Sequence, residues 1–337
     1  MKRNLLIAAV MIITMVSCEK EIKTIQPPLE KLSTEVIVSP PICLGNSWTG
    51  AGAYPVRGIS FTYNNKIYVP DAATQQVHIF DGTRWTSINS DVPIYTSGEW
   101  NMNNVDLIWL TIGNKGYLSL TYTPSGHDFG FWEYNITTNA WRRRAYFPGP
   151  RRDDPACFTV NGKGYVAGGF RSEEDPNNPN ASIYLSDTWE YDPSNNTWTQ
   201  KANFGFEGRG AATGFNIGSK GYVVGGSHQD VLKQLLEYDP ATNQWTKKAP
   251  LPGDARAHAA TFVIGNKGYV GGGENNGPLV DFYQYDPAAN SWTRIADIQS
   301  LILIHPFYGF SINSTGYCVI EMNGDNYLRK YLPPCAP

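Results

Sequence analysis

The chain has 337 residues, with 27 Lys and Arg against 30 Asp and Glu and a formal net charge of −3. Charged residues make up 17% of it, against the ~25% of an average domain, and no basic block occurs. This charge pattern excludes nucleic acid and a polybasic membrane surface from the expected partners. Tyr, Trp and Gly are abundant instead, which suits an exported β-protein with polar, aromatic loops.

The first 17 residues predict an export signal. Lys2 and Arg3 precede a largely apolar run from Leu5 to Val16, which is too short to span a bilayer. The ending Met15-Val-Ser-Cys18 resembles a bacterial lipobox, and this resemblance implies cleavage before Cys18 and lipidation of that cysteine. An ordinary signal peptide that is cut nearby is the alternative. Removal of the signal leaves a net charge of −5.

Residues 18–42 are predicted to be a tether and residues 43–337 a single domain. The pairs Pro27-Pro28 and Pro40-Pro41 favour an extended chain in the tether, which is too short to hold a second domain. The protein is therefore expected to be a lipoprotein of the cell envelope, anchored to the outer membrane and facing either the periplasm or the cell surface. Its N-terminal lipid would be its only contact with the membrane.

One pattern recurs three times between Arg152 and Trp292. Each copy has an Arg, a Gly-Tyr pair whose Gly comes twelve residues later, and a Gly-Gly doublet that begins four residues after that Gly. Each copy ends in Tyr-Asp-Pro-x-x-Asn-x-Trp. Four short strands in a repeat of roughly 40–50 residues predict the blade of a β-propeller. The glycine doublet with its spaced Tyr and Trp resembles the kelch repeat.

The same sequence features, in less complete form, recur outside the three copies and predict six blades in all. A Gly-Tyr or Ile-Tyr pair begins at positions 67, 116, 164, 221, 268 and 316. The last blade lacks a fourth strand, but Asn46-Ser-Trp-Thr49 near the N-terminus repeats Asn290-Ser-Trp-Thr293. The sequence therefore predicts an all-β, six-bladed kelch-type propeller whose N-terminal strand closes the last blade and leaves no long unpaired edge.

This closure gives the cysteines a role. It brings Cys43 and Cys335 into one turn of an exported protein, where a disulfide that staples the ring is expected. Cys157 and Cys318 fall inside predicted strands, where unpaired cysteines are usually buried.

Function is expected on the face that carries the links between blades and the loops between second and third strands. Arg152, Arg209 and Arg256 recur in register, and we expect them to ring the channel mouth, where converging guanidinium groups suit an anionic ligand. The alternative is that each Arg pairs with a neighbouring carboxylate and only holds the blade entry together. Those neighbouring carboxylates are Asp153, Glu207 and Asp254. The other candidate ligand-binding residues on this face are Arg57, Phe170, Arg171, His228, Glu274 and Asn275.

Two classes of function fit this face. The favoured one is a binding or interaction module for a glycan or a protein, because aromatic and Asn-rich loops suit sugars. The alternative is a metal-free mutarotase or epimerase for an acidic sugar such as sialic acid. The kelch-like six-bladed proteins of bacterial sialic-acid metabolism are similar in blade count and in their acid-plus-Arg links. That resemblance implies Glu207 or Asp254 as the proton carrier, and His258 is a further acid–base candidate.

A copper oxidase of the galactose oxidase type, also a kelch propeller, is rejected. The chain has five His in all, none of them paired at ligand spacing, and neither Cys157 nor Cys318 falls in a loop beside a ligand-like Tyr. No metal and no cofactor are expected, and the chain is expected to be a monomer.

Overall fold

The structure is a computed structural model that describes residues 46–54, 59–93, 108–119, 130–172, 182–298, 304–322 and 325–334. Within these ranges all regular structure is β. The described residues include no helix that is long and apolar enough to cross a membrane. The predicted export signal and tether lie outside the described residues, as do Cys18, Cys43, Arg57 and Cys335.

The described strands form six antiparallel sheets of four strands each. Each sheet is one blade. The strands of blades 1 to 3 are β2 (Phe61–Tyr63), β3 (Lys66–Asp71), β4 (Gln76–Phe80) and β5 (Trp85–Asn89); β6 (Ile108–Ile112), β7 (Lys115–Ser119), β8 (Phe131–Asn135) and β9 (Ala140–Arg144); β10 (Ala156–Val160), β11 (Lys163–Ala167), β14 (Thr188–Asp192) and β15 (Thr197–Lys201).

Blades 4 to 6 complete the set. Their strands are β16 (Thr213–Ile217), β17 (Lys220–Val224), β20 (Leu235–Asp239) and β21 (Gln244–Lys248); β22 (Ala260–Ile264), β23 (Lys267–Gly271), β24 (Phe282–Asp286) and β25 (Ser291–Ile295); β26 (Ile304–Ile312), β27 (Thr315–Met322), β28 (Asp325–Leu332) and β1 (Ser47–Ala53). Two short hairpins accompany blades 3 and 4, namely β12 (Phe170–Ser172) with β13 (Ser182–Tyr184) and β18 (Ser227–His228) with β19 (Asp230–Val231).

The first strands of the six blades make a closed circle. They contact each other in the order β2, β6, β10, β16, β22 and β26, and β26 contacts β2 again. The architecture is therefore a six-bladed β-propeller, as the six Gly-Tyr and Ile-Tyr marks predict.

The glycine of each Gly-Tyr pair lets neighbouring blades pack closely. A Cβ at Gly116 would lie 2.3 Å from the ring of Phe61, and one at Gly268 would lie 2.6 Å from Phe215. Each of these glycines makes room for a large side chain from the first strand of the preceding blade, which is a Phe in most blades and Leu110 at Gly164. The tyrosine that follows, such as Tyr117, is fully buried and supplies apolar area between blades.

The Asn-x-Trp ending of a blade clamps the blade before it. Trp292 Nε1 donates a hydrogen bond of 2.8 Å to the carbonyl of Ala249. Asn290 Oδ1 accepts a hydrogen bond of 2.9 Å from the Ala249 amide. Because Ala249 follows the last strand of blade 4, these two bonds fix the spacing between blades 4 and 5.

The N-terminal strand makes the same clamp and closes the ring. Trp48 Nε1 donates to the carbonyl of Ala296 at 2.8 Å, and Asn46 Oδ1 accepts from the Ala296 amide at 2.8 Å. Strand β1 is antiparallel to β28, with Ser47 opposite Leu332. The prediction that the two chain ends share the last blade is confirmed.

Cys157 and Cys318 are both buried, with 8% and 0% of their surfaces exposed. Burial raises the pKa of the Cys157 thiol to about 12 and raises that of Cys318 further, so neither thiol is a nucleophile near neutral pH. The Cys43–Cys335 disulfide falls on residues outside the described ranges. It stays a prediction, which non-reducing peptide mapping tests.

We expect Trp48→Ala to lower the free energy of unfolding by about 3–5 kcal/mol, the usual cost of deleting a buried aromatic side chain. The reason is that the Trp48 ring packs against Phe262, Phe282 and Tyr331 of blades 5 and 6. Equilibrium unfolding in urea measures the change. Thr49→Ala is the matched control, since the neighbouring Thr49 is exposed. Equal losses in the two variants would contradict a closing role for Trp48.

Candidate functional site

A cavity of about 840 Å³ lies where the first strands of the blades converge, and all six blades contribute to its wall. It is therefore the central channel of the propeller. The described part of the wall carries two carboxylates, Asp154 and Glu274, and one imidazole, His258, but no Lys or Arg side chain.

Three wall residues share an unusual backbone conformation. Asp154, Ala211 and His258 have φ angles of 46°, 53° and 52°. Each comes two residues after the arginine of its repeat; these repeat arginines are Arg152, Arg209 and Arg256. The Ala211 amide donates to the Asp154 carbonyl at 3.1 Å, and the His258 amide donates to the Ala211 carbonyl at 2.8 Å. Positive φ is uncommon for residues other than glycine and concentrates at functional sites. Equivalent residues of blades 3, 4 and 5 thus lie side by side at the channel mouth.

His258 lies between the two carboxylates of the wall. Its Nδ1 is 3.0 Å from Oε1 of Glu274 in the same blade, and its Nε2 is 3.4 Å from Oδ2 of Asp154 in blade 3. The residue between them in blade 4, Ala211, has only a methyl side chain, so the imidazole reaches Asp154 across it. The side chains remain open to the cavity, with 39% of His258 and 35% of each carboxylate exposed.

The two carboxylates favour the protonated form of His258. Burial is the largest single influence on its pKa and acts to lower it, because a charged ring loses hydration there. The hydrogen bonds and negative charges of Asp154 and Glu274 act in the opposite direction and together prevail, so the pKa of His258 is raised above its ordinary 6.5. The cluster therefore combines an imidazolium acid with carboxylate bases at one point of the wall.

Glu274 comes from the loop that follows a Gly-Gly doublet. Phe170 and Ser227 are the equivalent residues of blades 3 and 4. Each of the three residues forms an isolated β-bridge with the residue that follows a repeat arginine. All three line the cavity, as does Asn275. Phe170 therefore supplies an apolar ring, and Asn275 an amide, beside the acid–base cluster.

The repeat arginines lie inside the blades. Arg152 is 2% exposed, and its Nη1 and Nη2 donate to Oδ1 and Oδ2 of Asp187 at 2.8 and 2.7 Å. Its Nη1 also donates to the Gly168 carbonyl at 2.8 Å. Arg256 is fully buried, and its Nη2 donates to Oδ2 of Asp281 at 2.9 Å. Each guanidinium group is thus occupied by the carboxylate that precedes the third strand of its own blade.

This placement corrects the geometry that was expected for the arginines. Their forks do not converge on the described wall of the channel, because the Asp187 and Asp281 carboxylates hold them within the blade. An ion pair inside the blade was the alternative, but its partners are these residues and not the adjacent Asp153 or Asp254.

The backbones of these arginines join one blade to the next. The Gly169 amide of blade 3 donates to the Arg209 carbonyl of blade 4 at 2.8 Å, and the Gly226 amide of blade 4 donates to the Arg256 carbonyl of blade 5 at 2.9 Å. The first glycine of a doublet is equally confined, since a Cβ at Gly225 would lie 2.3 Å from the Arg256 carbonyl oxygen. The doublet and the arginine therefore form one inter-blade joint.

Arg209 differs from the other two arginines because it lacks the carboxylate. The position that precedes the third strand of its blade holds Gln234, whose backbone bonds to Gly225 as Asp187 does to Gly168. The fully buried Arg209 donates from Nη1 to the Gly225 carbonyl at 3.3 Å, while its Nε and Nη2 and the Gln234 Oε1 have no hydrogen-bond partner among the described residues. Burial lowers the pKa of Arg209 to about 10.

The other sequence candidates are scattered around the face. Glu207 and Asp254 are exposed and do not line the cavity wall. Arg171 is exposed on strand β12. The His228 ring lies 5.1 Å from that of Tyr184, and its Nδ1 is 2.8 Å from the Gly208 carbonyl oxygen. The structure thus brings together His258, Glu274, Asn275 and Phe170, but not these four.

Asp154 is the member of the acid–base cluster that the sequence did not place among the candidate site residues. A signal for it exists, because Asp154 follows Arg152 by the same two positions by which His258 follows Arg256. An alignment of the three repeats on their arginines places the carboxylate and the imidazole at one structural position.

Comparisons with known proteins agree with this architecture. Residues 255–299 match the Kelch motif, and residues 108–242 match the N-acetylneuraminate epimerase family. The fold is a kelch-type propeller. The solved "Structure of YjhT" superposes with a TM-score of 0.52 at 19% identity, over 64% of this chain and 71% of that one. At that identity the likeness shows the fold alone.

Curated relatives are similar over part of the chain. N-acetylneuraminate epimerase of Pasteurella multocida (strain Pm70) is 32% identical over 124 residues, and that of Haemophilus influenzae (strain PittEE) is 30% identical over 120 residues. Each match covers 36% of this chain and 30% of the relative. The matched part of this chain thus spans about a third of the length of these relatives. Of the acid–base cluster, the N-acetylneuraminate epimerase family match includes Asp154 but not His258 or Glu274.

Gln234→Asp should raise the free energy of unfolding by about 1–2 kcal/mol at neutral pH, because it gives the buried Arg209 a charge-assisted hydrogen bond. Burial acts to raise the pKa of the equivalent Asp187 and Asp281, but the hydrogen bonds and charges of Arg152 and Arg256 lower it, and the pKa of each carboxyl is lowered overall. The gain should therefore be present above the ordinary carboxyl pKa and be lost as the pH falls through the lowered value. Urea unfolding at several pH values measures it. Gln234→Asn is the control, because Asn has the size of Asp but no charge. An equal gain of unfolding free energy in Gln234→Asn would exclude the ion pair as the source of the gain.

We expect proton NMR titration to place the pKa of His258 above 6.5 and expect Asp154→Asn and Glu274→Gln each to lower it. The charge-dependent stability from this cluster should be present below the unfolded pKa of His and be lost as the pH rises through the raised value. Asp153→Asn is the matched control, since Asp153 adjoins Asp154 in sequence. A pKa that responds no more to Asp154→Asn than to this control would refute the coupling.

Proposed function

We propose that the protein is a sugar mutarotase or epimerase that works by proton transfer at the mouth of its channel, without a metal. The observation that carries this proposal is the position of His258 between Asp154 and Glu274 in the cavity wall. A cavity of about 840 Å³ suits a small-molecule ligand. The names of the curated relatives support a sugar of the N-acetylneuraminate type as the first substrate to test.

The cluster has the two groups that ring opening needs. The imidazolium of His258 donates a proton to the ring oxygen while one carboxylate accepts the proton of the anomeric hydroxyl. The bond between the anomeric carbon and the ring oxygen breaks, and an open-chain carbonyl compound forms. Rotation about the adjacent carbon–carbon bond followed by the reverse proton transfers closes the other anomer, so that all atoms and protons are conserved.

The surrounding wall supports binding of a sugar. The Phe170 ring offers an apolar face on which the C–H side of a pyranose can stack, and Asn275 offers both donors and an acceptor to hydroxyl groups. The charges of the described wall are two carboxylates and His258, so the carboxylate of an acidic sugar is expected to lie away from Asp154 and Glu274.

Glycan binding without turnover is the second candidate, and the same wall residues support it. Phe170, Asn275 and Ser227 would bind the sugar, and the His258 cluster would only accept hydrogen bonds from its hydroxyl groups or donate to them. This form of the proposal keeps the protein as a binding module for a glycan.

The cellular setting is a proposal from the sequence. Lipidation of Cys18 would anchor the propeller to the outer membrane through residues 18–42, with a sugar or glycan as its partner and no nucleic acid. Metabolic labelling with a palmitate analogue should mark the wild-type protein and not Cys18→Ala. Equal labelling of the two proteins would contradict lipid anchoring through Cys18.

The catalytic proposal is tested by measuring anomer exchange by NMR on N-acetylneuraminate and on neutral N-acetylmannosamine. We expect exchange well above that of buffer for at least one sugar, and a loss of about 100-fold or more in His258→Gln. The wild-type rate should fall as the pH rises through the raised pKa of His258, because the imidazolium is the acid. His228→Gln, at a histidine outside the cavity wall, is the control.

Each outcome of this experiment decides between the candidates. A wild-type protein that binds a sugar by calorimetry but exchanges its anomers no faster than buffer would be the binding module. Exchange that survives His258→Gln would remove the catalytic role of the cluster. Binding of neither sugar would overturn both candidates.

A further inference from the structure

Arg209 is a buried cation that lacks the counter-ion of its repeat partners. In blade 3 the guanidinium group of Arg152 donates from Nη2 to Oδ2 of Asp187 at 2.7 Å, and blade 5 has the equivalent pair. In blade 4 the place of the aspartate is taken by Gln234. Arg209 is fully buried, yet its Nε and Nη2 have no hydrogen-bond partner among the described residues. Blade 4 therefore encloses a positive charge that blades 3 and 5 neutralise.

The charge of Arg209 persists at neutral pH. Burial lowers the pKa of Arg209 to about 10, and the negative charge of Glu207 acts in the opposite direction. The guanidinium group is therefore protonated at neutral pH. Glu207 is exposed, and the charge of Lys247 acts on it as well, so it is a poor counter-ion for a group inside the blade. A buried charge without a paired, hydrogen-bonded partner is costly, because burial removes its hydration.

Gln234 leaves the backbone at the point where the aspartate does in blade 3. Its carbonyl accepts from the Gly225 amide at 3.1 Å, as the Asp187 carbonyl accepts from the Gly168 amide at 3.0 Å. Its Oε1 is buried and also lacks a hydrogen-bond partner in the described part of the chain. A half-turn of the amide exchanges Oε1 and Nε2 at almost constant shape, so Nε2 can donate to an anion. Arg209 and Gln234 can thus both supply donors at the place of the carboxylate.

We propose that blade 4 binds a small monovalent anion such as chloride, held by the Arg209 guanidinium group and the Gln234 amide in place of the carboxylate. One uncompensated positive charge calls for one negative charge, and the enclosed position favours a small ion. Gln234 is half-buried, so part of the site reaches the surface and the ion can exchange. Neither residue lines the central cavity. The anion site is therefore distinct from the His258 cluster and does not depend on the proposed function.

The ion stabilises the joint between blades 3 and 4. The Arg209 carbonyl accepts from the Gly169 amide at 2.8 Å, and the Arg209 amide donates to the Leu185 carbonyl at 3.0 Å. Arg209 Nη1 donates to the Gly225 carbonyl at 3.3 Å. A counter-ion thus fixes the residue that holds the two blades together. Because the unfolded chain has no such enclosed site, binding of the ion adds to the stability of the folded chain.

Urea unfolding in sodium chloride and in sodium gluconate at equal ionic strength tests the proposal. A ligand that binds only the folded protein lowers the equilibrium constant of unfolding by the factor 1 + [chloride]/Kd. At ten times Kd, the constant of the wild-type protein should be about elevenfold lower in chloride than in gluconate. Gln234→Asp should lose this response, because its carboxylate takes the place of the ion. Gln234→Asn is the matched control and should keep a response, because it adds no charge.

Crystals grown with bromide provide a direct measurement. An anomalous peak within hydrogen-bonding distance of Arg209 Nη2 is expected in the wild-type protein and not in Gln234→Asp. A peak without chloride-dependent unfolding would indicate an adventitious ion only and overturn the site. A response that survives Gln234→Asp, or that Gln234→Asn loses as completely as Gln234→Asp, would also overturn it. The proposed function stands or falls separately, since anomer exchange tests it.

Discussion

The joint between a glycine doublet and the arginine of the next blade is the contact on which the site depends. The Gly169 and Gly226 amides hold the backbone carbonyls of Arg209 and Arg256, and a side chain on the doublet would collide with the same backbone. The guanidinium groups of Arg152 and Arg256 bind a carboxylate inside their own blade, and that of Arg209 is buried in its blade. The arginine side chains therefore do not line the mouth, where the residue two positions later lies.

At the position two residues after the arginine, the side chain differs between blades 3, 4 and 5 while the backbone conformation stays the same. Its left-handed backbone is held by hydrogen bonds to the equivalent residues of neighbouring blades, so the side chain is not needed to fix the backbone conformation. Blade 3 has an acid there, blade 4 a methyl group and blade 5 an imidazole. The small size of Ala211 is what lets His258 and Asp154 meet across blade 4. The strain of a positive φ at His258 is offset by the joint beside it.

The sequence predicted the architecture far better than the site, for a physical reason. Blade count and closure follow from glycine, Tyr and Trp positions whose packing depends on local register, as the match of Asn46 and Trp48 with Asn290 and Trp292 shows. The direction of a long side chain such as Arg152 depends on a carboxylate 35 residues away, which no local pattern reveals. Likewise, nothing in the spacing indicates that His258 contacts Asp154, which is 104 residues distant.

The last blade, to which both β1 and β28 contribute, also limits when the protein can fold during synthesis. Asn46 leaves the ribosome early, yet its hydrogen-bonding partner Tyr331 emerges 285 residues later. Until then the aromatic side chains that Trp48 covers stay open to water, and the ring has a gap. Long-range pairing of this kind slows folding and leaves unfinished chains prone to aggregation. The propeller therefore cannot close before β28 has been synthesised, so a product truncated ahead of β28 lacks the pairing that closes the ring, even if its first five blades are intact.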